Sequence, residues 1–560
     1  MKTLYLIFLT VFVLIFSECK KNQVKMENDL KKFIARYDSI SWPLSKEMNL
    51  ASWGAAISGK DEDFIKAENY EKEFTKVLSN QEDFALLKKI RESNSIKDSI
   101  LARELEMLYL SYLTNQADTA LLNQIISLET GVEKKYNNFR AEINGRQFTD
   151  NEIEEILHNS TNSKELEEAW NAHKKIGTIV ASDIITLVKK RNELARTLGF
   201  DNYHDMSLRT GEQDPKEIER IFDELDSLTR NSFIDQKNEI DEYLSKRCGI
   251  KKEELMPWHY QNRYFQEAPK IYKVDLDKYY KGKDLEEITR TYYDGIGLKI
   301  EDILKRSDLY EKPGKNQHAF CTDIDNEGDV RVLCNIKPNE YWEGTMLHEF
   351  GHAIYDEYID KSLPFTLRQP AHIFTTEAIA MLFGRFSSNP QWIQDMTGIS
   401  DKEKEKIADE CYKTLRLDQL VFSRWVQVMY RFEKSMYANP DQDLNQLWWN
   451  LVEKYQMIKK PQGRNEPDWA SKIHIASSPC YYHNYLLGEM LASQLHYYIA
   501  NNIIKTNNYK MLSYFKEPEV GEYLKQKIFA PGAKYFWNDM IKKATGEKLT
   551  AKYYAKQFVD

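Results

Sequence analysis

His348 and His352 stand four residues apart in TMLHEFGHAIYDEY, Thr345 to Tyr358. On a helix that spacing projects both imidazoles from one face, where they can grip a single metal ion. Glu349, next to the first histidine, then lies beside the open coordination position, where a carboxylate takes a proton from water. Borderline-soft imidazole nitrogens in a tetrahedral set favour Zn2+ over magnesium or calcium. With 11 histidines in 560 residues, a chance His-Glu-x-x-His is expected on the order of a few hundredths of a time. The third ligand must come from another element. TTEAIAMLFGRF, Thr375 to Phe386, reads as a helix opened by Thr375 or Thr376 with Glu377 in its first turn. Two histidines, one glutamate and an open position form a catalytic zinc arrangement rather than a structural one. Standing alone, Glu377 would more often serve the helix dipole, and the histidine motif upstream reverses those odds.

The elements that must position these groups are helical. Gly (22) and Pro (15) are scarce for 560 residues, so few turns punctuate the chain and long helices dominate. Residues from about Lys25 to Arg230 keep apolar positions at three- and four-residue spacing. HAFCTDIDNEGDVRVLCNI, His318 to Ile336, differs: two extended runs flank Asn326-Glu327-Gly328-Asp329, which has hairpin-turn chemistry. Cys321 and Cys334 occupy opposite arms and either pair or remain two thiols. No repeat or Gly/Ser linker marks a domain boundary. A net charge of −9 offers no footprint for nucleic acid.

The N-terminus has a different character. Lys2 precedes an apolar run from Thr3 to Ser17, followed by Glu18, Cys19 and two lysines. The run is short for a bilayer span and suits a signal peptide. Cys19 resembles a bacterial lipoprotein lipidation site, although Glu18 departs from the small residue that precedes such a cysteine. The expectation is an exported protein, periplasmic or at the cell surface, held to a membrane by a lipid anchor.

HEFGHAIYDEYIDKSLPFTLRQPAHIFTTEAIA resembles the zinc-site stretch of the angiotensin-converting-enzyme family of peptidyl-dipeptidases. A second block, LWWNLVEKYQMIKKPQGRNEPDWASKIHIASSPCYYHNYLLGEM (Leu447 to Met490), is similar to that family's substrate-binding stretch. The resemblance implies His348, His352 and Glu377 as zinc ligands, Glu349 as general base, and His474 as a hydrogen-bond partner of the substrate backbone. It implies Lys472, Tyr482 and, more loosely, Gln261 as the pocket for the substrate's C-terminal carboxylate. Tyr485 matches the oxyanion-stabilising tyrosine. One extra residue after His474 leaves Tyr481 as an alternative to Tyr482.

The chain also departs from the family. Met381 stands where a carboxylate orients a zinc histidine, and Thr322 where the animal enzymes have a substrate-binding histidine. Val452 and Asn484 occupy positions of arginines that serve chloride activation in animal members, so no chloride activation is expected. The expectation is a signal peptide over 1–18 and a single zinc peptidase domain over 19–560. That domain should be mostly α-helical and two-lobed, with a deep cleft and a short hairpin near the zinc. It should release dipeptides from oligopeptide C-termini. A thimet-type endo-acting oligopeptidase and a catalytically silent peptide-binding lipoprotein are the alternatives.

Overall fold

The computed structural model describes residues 23–559 with their side chains, and the backbone of the first helix from Lys2. The expected signal segment (1–18) and Cys19 lie outside the residues described with side chains. The fold is mostly helical, with two small two-stranded antiparallel sheets. The helices that matter for the site are α1 (Lys2–Ser58), α2 (Ser163–Thr197), α3 (Tyr203–Thr210) and α4 (Pro215–Cys248). They are followed by α5 (Glu340–Glu357), α6 (Ile373–Gly384), α7 (Asp401–Ala438), α8 (Leu444–Tyr455) and α9 (His483–Tyr498). The strands are β1 (Ala141–Ile143), β2 (Arg146–Phe148), β3 (Phe320–Asp323) and β4 (Val330–Leu333).

Local chemistry starts these helices where the sequence requires. The Asn339 side chain accepts from Trp342 N to cap α5, and the His372 ring accepts from Phe374 N to cap α6. One buried apolar cluster runs from Leu121 to Phe558. A smaller one gathers Leu30 and Phe33 of α1 with Leu87, Leu105 and Tyr112. At the centre, α5, α6 and α9 press together without side chains at the crossings. A Cβ on Gly351 would lie 2.8 Å from Ala380 Cα, and one on Gly488 would lie 3.2 Å from Glu377 Cβ. The backbones can approach this closely only at glycine.

The expected hairpin is present as β3 and β4, and its turn contains Asn326 (φ 55°) and Gly328 (φ 113°). The possible Cys321–Cys334 disulfide is not: both are free thiols. The register sets Cys321 opposite Val332, so Cys334 is a diagonal neighbour. Such neighbours stand roughly 7–8 Å apart, beyond the roughly 4.4–6.8 Å Cα span of a disulfide. The Cys334 backbone instead donates to Asp308 O at 3.0 Å.

Candidate metal centre and peptide cleft

α5 presents His348 and His352 on one face, and α6 brings Glu377 to meet them. One ligand atom from each lies within 4.8 Å of the other two. Each histidine Nε2 is 3.8 Å from Glu377 Oε2. The His352 Nδ1 sits 2.7 Å from Thr376 Oγ1, a contact that orients the ring and leaves Nε2 facing the glutamate. Burial pushes His348 down to about 4 and His352 to about 3, so both rings are neutral with lone pairs to give.

The carboxyls respond in the opposite sense. Burial, then the Glu489 carboxylate, lifts Glu377 to about 7. Burial, then Glu377, lifts Glu349 to about 8 against a hydrogen bond from the Cys321 backbone. Two neutral imidazoles and crowded buried carboxyls form a donor set that a dication would satisfy. Zn2+ fits these residues.

Met381 leaves α6 without a carboxylate toward His348, and the carboxylate whose charge reaches that ring stands on α9. This is Glu489, four residues after Tyr485. It is held by an ion pair with Arg385 and by Gln419 Nε2 at 3.0 Å.

Lys472 is buried, and its Nζ donates to Gln266 Oε1 at 2.6 Å. Three rings surround the ammonium, Tyr264 at 5.1 Å and Trp425 and Tyr482 each at 5.5 Å. Burial, then Arg263, lowers its pKa to about 8. The His474 ring lies 5.3 Å from Tyr482, is kept neutral by burial and by Lys472, and has an unpartnered buried Nδ1.

The tyrosines divide between the two ends of the site. Tyr482 turns toward Lys472 and stacks edge-on with Trp425 at 6.0 Å. Tyr481 turns toward Tyr485 at 5.3 Å, and both of those hydroxyls sense the Glu377 charge. Tyr482 therefore takes the position beside the lysine that the sequence left open between the two.

Gln261 does not join them. Its Nε2 donates to His158 O at 2.7 Å, and Gln266, five residues on, occupies the place beside Lys472. Gln261 and Phe265 both take left-handed backbone (φ 57° and 52°), which redirects a segment whose spacing alone favoured the earlier glutamine. Sequence reasoning also missed Gln266, Thr376 and Glu489. Only Glu489 had a signal, its i,i+4 spacing from Tyr485.

A helical body in which a His-Glu-x-x-His helix meets a glutamate from the next helix defines a helical metallopeptidase fold. A family profile described as "Angiotensin-converting enzyme" matches residues 24–558, and the chain belongs to that family. Among its relatives, the rat "Angiotensin-converting enzyme" is 22% identical over 428 residues, 71% of this chain and 32% of the relative. "Carboxypeptidase 1" of Bacillus subtilis is 25% identical over 258 residues, 42% of this chain and 50% of the relative. "Thermostable carboxypeptidase 1" of Pyrococcus furiosus is 22% identical over 260 residues, 43% of this chain and 51% of the relative. The chain thus spans a third to a half of the length of these relatives.

Proposed function

We propose that this chain is a zinc peptidase that removes dipeptides from the free C-termini of oligopeptides. The observation that carries the reading is Lys472: a buried ammonium with a glutamine and three rings around it, and no ion-pair partner among the described residues. A desolvated cation in that state calls for an anion, and a peptide's terminal carboxylate supplies one. A run of touching rings, Tyr482 to Tyr485 at 5.4 Å and Tyr485 to Tyr481 at 5.3 Å, leads from the lysine to Glu377.

His348, His352 and Glu377 would hold zinc, which when bound supplies a Lewis acid that polarises the scissile carbonyl and acidifies water. Glu349 takes the proton from the attacking water and passes it to the leaving amine. Tyr485 donates its hydroxyl to the developing oxyanion. His474, neutral, hydrogen-bonds the substrate backbone. Lys472, Gln266 and Tyr482 clamp the terminal carboxylate, fixing how far the peptide enters and hence where it is cut.

The thimet-type reading gives no use to the buried lysine, and a silent binding protein gives none to Glu349. Mass spectrometry of products from paired free-acid and C-terminally amidated oligopeptides tests the proposal. Dipeptides released only from the free acids support it; equal internal cleavage of both overturns it, and single amino acids would match the name of the carboxypeptidase relatives. Export and lipid anchoring at Cys19 belong to the same proposal. Among the described residues no helix is long and apolar enough to cross a membrane. Radiolabelled fatty acid incorporated into the native chain but not into Cys19→Ala supports it; no incorporation into either overturns it.

A further inference from the structure

The turn Gly211–Glu212–Gln213, between α3 and α4, takes no part in the chemistry above, yet it touches both helices that present it. Glu212 adopts left-handed backbone (φ 58°), which costs a non-glycine residue energy unless its surroundings hold it there. They do so twice. Arg103 forms an ion pair with its carboxylate, and Trp537 Nε1 donates to its carbonyl at 2.8 Å.

From this braced turn, bonds run in two directions. The Gly211 carbonyl lies 2.8 Å from His372 Nε2. The other nitrogen of that ring caps α6, five residues before Glu377. In the opposite direction the Gln213 amide divides between two consecutive residues. Its Oε1 is 2.6 Å from His483 Nε2, and its Nε2 donates to Asn484 Oδ1 at 2.7 Å. His483 and Asn484 open α9 and immediately precede Tyr485. Gln213, His483 and Asn484 are all buried.

A single tie would fix only the distance of α9 from the turn. Two bonds from one planar amide onto adjacent residues also fix the rotation of the first helical turn, and rotation decides where the Tyr485 hydroxyl points. We propose that Gln213 is the positioning residue for Tyr485. It sets the rotation of the start of α9 while Gly211, in the same turn, pins the start of α6, so the tyrosine hydroxyl is held in register with Glu377. This inference rests on the reading of Tyr485 as the oxyanion donor. A misplacement on the order of 1 Å costs about 10²-fold in rate, which sets the scale of the expected effect.

The experiment uses the full zinc-loaded chain with Gln213→Met, which roughly keeps volume but removes donor and acceptor, and Asn484→Leu as a second variant. It records kcat, KM, zinc content and Tm on a free-acid oligopeptide, each variant alone and combined with Tyr485→Phe. Both single variants should lose about 10- to 100-fold in kcat, with KM within about 3-fold and zinc content unchanged. In the Tyr485→Phe background, Gln213→Met should cost less than about 2-fold further, because the group it positions is already gone. Full kcat in folded Gln213→Met, or a loss that multiplies with that of Tyr485→Phe, overturns the inference. So does a lowered Tm in both variants with full kcat in the remaining folded enzyme, since the turn would then be only a brace. If Tyr485→Phe itself keeps full kcat, the reading of Tyr485 fails and carries this inference with it. That result is distinct from a failure of Gln213→Met alone.

Discussion

Gly488 faces Glu377 so closely that a Cβ on the glycine would stand 3.2 Å from the Cβ of the glutamate. The helix carrying Tyr485 therefore reaches the helix carrying the third metal ligand at a residue with no side chain.

Gly488→Ala should displace that ligand. Alanine favours the helix by about 0.5–1 kcal/mol, but the added methyl meets Glu377 Cβ and the Met381 sulfur, both at 3.2 Å. Overpacking of this kind costs typically 1–3 kcal/mol and shifts backbone. Zinc affinity should fall roughly 10- to 100-fold, the range seen when ligand-supporting contacts are lost. Competition with a chromogenic chelator measures it; unchanged affinity would show that α6 yields without moving Glu377.

The metal and the base separate cleanly. Chelation should abolish hydrolysis and zinc should restore it. Glu349→Gln should keep zinc, because Glu349 is not one of the three clustered donors, yet lose about 10²- to 10⁴-fold in kcat. Near-normal turnover in zinc-replete Glu349→Gln protein would remove Glu349 from the mechanism.

The parts of this site that the sequence displayed are those set by local spacing. His348, Glu349 and His352 follow from helical geometry alone, and Glu377 follows once a third ligand is required. The Asn326–Asp329 turn was visible because its residue types match its backbone. Gln266 was hidden because two left-handed residues, Gln261 and Phe265, redirect the chain, and residue type only weakly announces them. Whether the cysteines pair stayed open because the hairpin turn does not reveal register, and one slipped position decides whether two sulfurs meet. Glu489 was hidden because the carboxylate near His348 comes from a different helix than the one carrying Met381.

Lys472 predicts a pH dependence with opposite signs for function and stability. Burial holds its pKa in the folded chain at about 8 against an ordinary 10.5. The ammonium is present below about 8 and lost above it, so kcat/KM for free-acid peptides should fall as pH rises through that value. Between about 8 and 10.5 the unfolded chain binds the extra proton, so this group makes stability rise with pH. At pH 7 Lys472→Met should raise Tm, having removed an unpaired buried charge, while lowering kcat/KM for free acids. A pH profile identical for free-acid and amidated substrates would detach Lys472 from substrate binding.

Chloride should leave turnover unchanged. Val452 of α8 is buried and offers no side-chain donor, while Asn484 brings a neutral amide, its oxygen accepting from Gln213 at 2.7 Å, where a cation would be needed. A desolvated anion needs a fixed cation or converging donors to offset its lost hydration. The donors beside Val452 are already committed to an anion of the protein's own. Asp468 accepts from Trp449 Nε1 at 3.1 Å and Arg464 Nε at 2.6 Å, and the buried Lys174 senses the same carboxylate. Chloride would have to displace a covalently tethered competitor of equal charge, whose effective concentration no salt solution matches. At the other position Gln213 bonds both His483 and Asn484, and burial holds the His483 pKa well below its ordinary value, so no cation stands there. The measurement is kcat on a free-acid peptide with chloride replaced by acetate at constant ionic strength, so that general screening is unchanged. Rates should agree within about 2-fold. A several-fold rise with chloride would show that an anion binds where neither Asp468 nor Gln213 already meets the demand for one.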